Sequence, residues 1–172
     1  MEFEKVIKER FSVRKFKSEK IDKEIIDKIL QAGLIAPTGK NSQPIKILVL
    51  NSDEALEKLK ECSRCHFDAP LAFLVCYNKD ECWSRPYDGE LSGSIDASIV
   101  STHLMLQAYN LNIGSCWVMH FNPFKMKDAF NIPENIIPTA LLVMGYPTDD
   151  AEPTERHFSS KPKEDIVLYD SF

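Results

Sequence analysis

Nothing in this sequence of 172 residues approaches the length of apolar run needed to cross a bilayer. Its opening, MEFEKVIKERF, is charged and lacks the apolar stretch of a secretory leader, so the expected location is the cytoplasm. There the cysteines, five and therefore odd in number, read as reduced thiols rather than a disulfide framework. Basic excess is missing as well. The net charge is −5, the isoelectric point is about 5.4, and the basic residues are scattered singly. That excludes the usual profile of a nucleic-acid binder.

The familiar chemical signatures are absent too. No G-x-G-x-x-G follows a strand, and there is no P-loop, H-E-x-x-H or G-x-S-x-G. The four histidines are dispersed, so no metal site is expected. Cys62-Ser-Arg-Cys65-His66 matches C-x-x-C-H, but covalent haem attachment belongs to exported proteins and no second ligand pair stands at zinc spacing. The segment is read as thiols at a helix end. No side chain is nominated as catalytic. If the chain is an enzyme, a bound cofactor carries the reaction.

What is there is an ordinary globular composition, 44% hydrophobic and 27% charged. Residues 1–172 read as a single domain, with no internal repeat and no composition break. Apolar periodicity predicts helices over residues 2–9, 23–34, 54–61, 96–110 and 123–130. Buried strands are expected over 45–50, 71–77, 113–119 and 137–145, with a long loop over 78–94. A proline-bearing tail ends in a short extended run, 166–169, that could pack on a neighbouring subunit. Helices alternating with buried strands give an α/β or α+β class. Helix 96–110 is apolar on nearly all sides, as in a helix surrounded by protein.

Two runs stand out. In RFSVRKF, Arg10 and Arg14 converge if the segment is helical, and Ser12 joins them if it is extended. Such a group suits a phosphate, since a guanidinium fork binds it in bidentate fashion and a hydroxyl adds a donor. A solvated basic patch pairing with Glu4 or Glu9 is the alternative. In IAPTGKNSQPIKILVL, Pro37 and Gly39 fix a loop whose amides can approach a flat ring. Asn41 and Gln43 carry paired donors and acceptors suited to a heterocycle edge, on a base set by Pro44 and the following strand. An ordinary helix-to-strand turn is the alternative there.

Together, R-x-S-x-R-x-F, an amphipathic helix and A-P-[ST]-x-x-N-x-Q-P resemble the FMN-dependent nitroreductase family. IDASIVSTHLMLQAYNLNIGSCWV, LLVMGYP and KPKEDIVLYD extend the likeness over most of the chain. The resemblance implies a three-layer fold with a mixed sheet of four to five strands, helices on both faces and a C-terminal tail swapped onto the partner of a homodimer. It also implies FMN at the dimer interface and NAD(P)H as a transient reductant in a ping-pong reaction with nitroaromatic, quinone or similar flat acceptors. Arg10 and Ser12 would hold the ribityl phosphate, and Arg14 the pyrimidine edge. Pro37, Thr38, Asn41 and Gln43 would come from the other subunit. Trp117 and Val118 would border the ring with backbone groups. A flavin store with little turnover, on the same scaffold, is the alternative.

Some positions depart from the family. Ser160 occupies the place of a basic phosphate ligand before Lys161-Pro162, so Lys161, or Arg156 and His157, are the expected substitutes. No flavin contact is assigned around Cys62 to Phe67. Met119 and His120 stand where smaller residues are common, and the 83–93 loop, with Arg85 and Tyr87, is a candidate lid.

Overall fold

A computed structural model describes all residues from Met1 to Phe172. The elements in chain order are α1 (Phe3–Glu9), α2 (Lys23–Leu34), β1 (Ile45–Leu50), α3 (Asp53–Cys62), β2 (Leu71–Asn78), α4 (Gly93–Asn110), β3 (Gly114–Val118), α5 (Pro123–Phe130) and β4 (Ile136–Gly145). Local chemistry sets several of their ends. The Ser52 hydroxyl accepts the Ala55 N–H at 3.2 Å and starts α3. The Asn122 side chain accepts from Phe124 and Lys125 ahead of α5, with Pro123 in the first turn, and Asn131 closes that helix in the left-handed region.

The strands form one sheet in the order β1-β2-β4-β3. Every pair is antiparallel, with Phe73 opposite Val49 on one side and Leu142 on the other, and Trp117 opposite Leu142. The expected mixed sheet therefore narrows to one parallel contact, a single bridge between Ser12 and Ser115. The tail differs as well. Residues 166–169 are not extended; they follow a 3-10 turn, Lys163–Asp165, closed by the Val167 N–H on the Lys163 carbonyl at 2.8 Å. Extended backbone in a strand needs a partner for its N–H and C=O groups, and residues 166–169 lie against no strand. Ile166, Leu168, Tyr169 and Phe172 stand exposed.

Strand alternation builds two cores. Phe73, Val75, Leu142 and Met144 face α2 and α4, meeting Ile26, Ile29, Val100 and Leu104. Ala72, Leu74, Leu141 and Val143 face the opposite way, meeting Leu59 and Cys62 of α3 and Met126 of α5. The result is three layers, helix on sheet on helix. In α4, Ala97, Val100, Ser101, Leu104 and Ala108 are buried, while Ile95 and Thr102 on its outer side are exposed. Helix α2 approaches α4 closely because residue 33 is glycine: a Cβ there would stand 2.7 Å from Leu104 Cδ2. No helix is long and apolar enough to cross a membrane.

Leu104 is fully buried where α2, α4 and the sheet meet. Leu104→Ala is expected to cost about 2–5 kcal/mol of stability, read as a lower urea midpoint at unchanged slope. A loss below about 1 kcal/mol would contradict this packing.

Candidate functional site

The RFSVRKF segment is extended. Its Val13 N–H donates to the Ser115 carbonyl at 3.0 Å, and Lys17 N–H to that of Tyr146 at 2.8 Å, so it lies along the open edge of β3 and the chain after β4. Val13 is buried, and Ser12 and Arg14 are on the exposed side. Ion pairs from Lys15 to Asp150 at 2.6 Å and from Lys17 to Asp149 at 2.8 Å pin the start of the tail beside it. The Lys15 ammonium and then the Thr148 hydroxyl hold the Asp150 carboxyl down at about 2.

This docking builds a cavity of about 200 Å³ lined by Arg10, Phe11, Ser12, Arg14, Thr154, Arg156 and His157. A 3-10 turn, Glu155–Phe158, delivers the tail residues, and His157 packs edge-on to Phe11 with ring centroids 6.3 Å apart. Neither Arg10 nor Arg14 takes a carboxylate partner; Glu4 pairs with Lys8, and Glu9 with Lys5. The expected pairing of the arginines with Glu4 or Glu9 is therefore not made. The cavity gathers three guanidiniums, two hydroxyls and an imidazole with no acid in its lining, which suits a phosphate-like anion. Arg156 and His157 are among the lining residues and Lys161 is not.

Cys116 lies on the inner side of this group. Burial pushes its thiol up, against the opposing field of Arg14 and the Ser12 side chain beside it. Because the Ser115 carbonyl faces the docked segment, strand alternation turns the Trp117 N–H and carbonyl to the same open edge. On that strand Val118 is buried and Trp117 half-buried.

Beyond Val118 opens a wider cleft of about 630 Å³ between the end of α3 and the start of α5. Arg64, His120, Phe124 and Lys125 line it, with Glu61 the one acid. Its two walls are tied together. The Asn122 N–H donates to the Cys62 carbonyl at 2.8 Å, and the Ser63 hydroxyl to that of His120 at 2.7 Å. The sequence reading assigned no contact between Cys62 and Phe67. Arg64 is the exposed cation there, and only the fold reveals that it faces His120 across a cleft.

The second sequence run lies elsewhere in the protomer. Thr38 and Gln43 line a separate groove of about 400 Å³, with Leu30, Ile45, Ile47 and Val100. The structure thus brings Arg10, Ser12 and Arg14 to one cavity, sets Trp117 and Val118 on the strand that Ser12 bridges, and places Thr38 and Gln43 in another groove. Residues 83–93 carry an ordered hairpin rather than a free loop. A bridge joins Ser84 to Leu91, the Arg85 N–H donates to the Glu90 carbonyl at 2.9 Å, and the Arg85 guanidinium is paired with Asp88. The 62–66 segment holds free thiols, with Cys62 buried at the end of α3, as read from the sequence.

A cavity lined by three arginines and a histidine thus lies beside the edge of an antiparallel sheet, with a wider cleft elsewhere in the same three-layer α+β fold. The profile of the nitroreductase family matches residues 7–75 and 65–146. The chain belongs to that family of oxidoreductase enzymes. A nitroreductase family protein from Clostridium difficile 630 has 41% identity and a TM-score of 0.94, with each chain covered over 100%. A protein of Archaeoglobus fulgidus bearing the name NADH dehydrogenase/NAD(P)H nitroreductase is 32% identical over 86% of this chain and 87% of its own. A structure named FMN-dependent nitroreductase, from Clostridium difficile R20291, has 25% identity and a TM-score of 0.79, with 97% of this chain and 98% of that one covered.

The cysteines differ enough to be told apart in solution. Burial drives the Cys76 thiol up to about 12, and Cys62 and Cys116 are buried as well. With a disulfide reagent at about pH 8, Cys65 and Cys82 should react in the folded protein, and the other three only on unfolding. Rapid modification of Cys76 in the native state would contradict the described core.

Proposed function

We propose that this protein is an FMN-dependent oxidoreductase that takes hydride from NAD(P)H and reduces nitroaromatic, quinone or similar flat acceptors by a ping-pong route. The observation that carries the reading is the acid-free cavity joining Arg10, Ser12 and Arg14 to Arg156 and His157, on a nitroreductase fold. Its charge and size suit a phosphoryl end, and the Trp117 backbone at the adjoining edge suits a ring that accepts an N–H. When bound, the flavin supplies the hydride-accepting and electron-donating centre that no side chain of this protein offers.

The protein's own groups then have separate tasks. The cavity cations neutralise the phosphate and fix its position. Arg14, next in line, sets a positive field at the end of the ring where charge gathers on reduction. The cleft beyond Val118 leaves room for the reductant and the acceptor in turn, with Phe124 offering a flat apolar surface and Arg64 and Lys125 a charge.

A homodimer completes the reading. Ile95 on the outer side of α4, Phe3 and Ile7 of α1 and the apolar tail end are all exposed in one protomer, which supports burial against a second copy. The groove holding Thr38 and Gln43 then belongs to the partner's flavin, and the tail crosses between subunits. We place the enzyme in the cytoplasm, where unpaired thiols stay reduced.

The purified protein, supplied with FMN, is expected to be yellow and to bleach on anaerobic addition of NAD(P)H. A protein that ignores FMN would sink the reading. Arg10→Ala and Arg14→Ala should each weaken FMN binding about tenfold to a hundredfold, measured by fluorescence quenching of the free flavin. Arg156→Ala should cost about as much, and Lys161→Ala less than about threefold. The reverse order for the two tail residues would return the phosphate contact to Lys161.

A further inference from the structure

Asp96 is the one carboxylate among the buried residues, at 2% exposure, and it pairs with no basic side chain. It occupies the first turn of α4, where free helix N–H groups favour negative charge. Its Oδ2 accepts the Ser92 hydroxyl at 2.7 Å, and its own N–H donates to the Ser92 carbonyl at 2.8 Å. Its Oδ1 reaches out of the helix and accepts the Gly39 N–H at 2.8 Å.

That last bond ends beside a run of left-handed backbone. Lys40, Asn41 and Gln43 have φ of 50°, 55° and 51°, in the left-handed region that non-glycine residues rarely adopt. Such a run persists only where its surroundings over-determine it. Inside the loop, Gln43 N–H donates to Thr38 Oγ1 at 3.1 Å, and the Gln43 amide to Asn41 Oδ1 at 2.9 Å. The Gly39–Asp96 bond is the one hydrogen bond tying residues 38–43 to the rest of the chain. Shape reinforces it. A Cβ at residue 39 would stand 3.0 Å from Ser92 Oγ and 3.3 Å from Trp83 Cβ, so the loop lies directly on the node.

We propose that Asp96 is the positioning residue for the 38–43 loop: its carboxylate locks the strained backbone through Gly39 and Ser92, and so presents the Asn41 and Gln43 amides to the edge of the flavin. This deepens the flavin reading and rests on it. With the lock gone, the loop relaxes to other conformers, and FMN affinity falls with the fraction still competent to bind. Asp96→Asn keeps both contacts, because its oxygen can accept from Gly39 while its NH₂ donates to Ser92 Oγ.

The test is FMN titration of full-length variants, with the absorbance spectrum and midpoint potential of the bound flavin recorded for each. Asp96→Ala should bind FMN about tenfold more weakly and shift both the spectrum and the potential, while Asp96→Asn should restore all three. Gly39→Ala presses on the same contact from the loop side without removing a buried polar group, so it carries the test if Asp96→Ala fails to fold; it should shift the spectrum and weaken binding in the same direction. Wild-type protein that takes no FMN overturns the flavin reading. Wild-type protein that binds, beside Asp96→Ala or Gly39→Ala variants with unchanged affinity and spectrum, overturns only the role of Asp96. An Asp96→Asn variant as impaired as Asp96→Ala also overturns it, since both hydrogen bonds survive that change.

Discussion

The Val13 N–H lies 3.0 Å from the Ser115 carbonyl, and the site hangs on what that bond does to the chain. It commits residues 12–17 to an extended path from β3 to the chain after β4. Gly114 permits the approach, since a Cβ there would stand 2.8 Å from Val13 Cγ2. Once the path is extended, a period of two sends Val13 inward and Ser12 and Arg14 outward. The tail is then drawn in by the Thr148 N–H on the Lys15 carbonyl and by two lysine–aspartate pairs, which bring Arg156 and His157 within reach. A helical path would have left the two arginines on a solvated face and the tail without a surface to meet.

Where a signal was local, the sequence already carried it. Helix α2 and strand β1 begin and end as periodicity and Pro37 indicate, and α5 matches its cap and its Pro123 start. Helix α4 begins at Gly93, three residues ahead of the expected Asp96, and residue 93 is held to glycine because a Cβ there would stand 2.2 Å from the Tyr77 ring. That contact joins distant parts of the chain and leaves no trace in spacing. The antiparallel pairing of every strand is non-local for the same reason.

The site divides along the same line. Arg10, Ser12 and Arg14 were readable because they share a short segment with one geometry. The place of Arg156 and His157 beside them was not, since it depends on a 3-10 turn docking its imidazole on Phe11. Asp96 was hidden by its setting: within an apolar helix a lone carboxylate reads as a cap, and its partner Gly39 lies on another element. Arg64 likewise gains a place only when the Ser63 hydroxyl ties its loop to His120.

Strand β1 borders the sheet, and its outer side meets no other strand of the same protomer. A bare rim of this kind invites foreign polypeptide to add itself, the first step toward fibrous precipitates. Here the rim is only six residues long, Pro44 interrupts it at one end, and Lys46 sets a charge within it. These features discourage indiscriminate recruitment of a further strand along that rim.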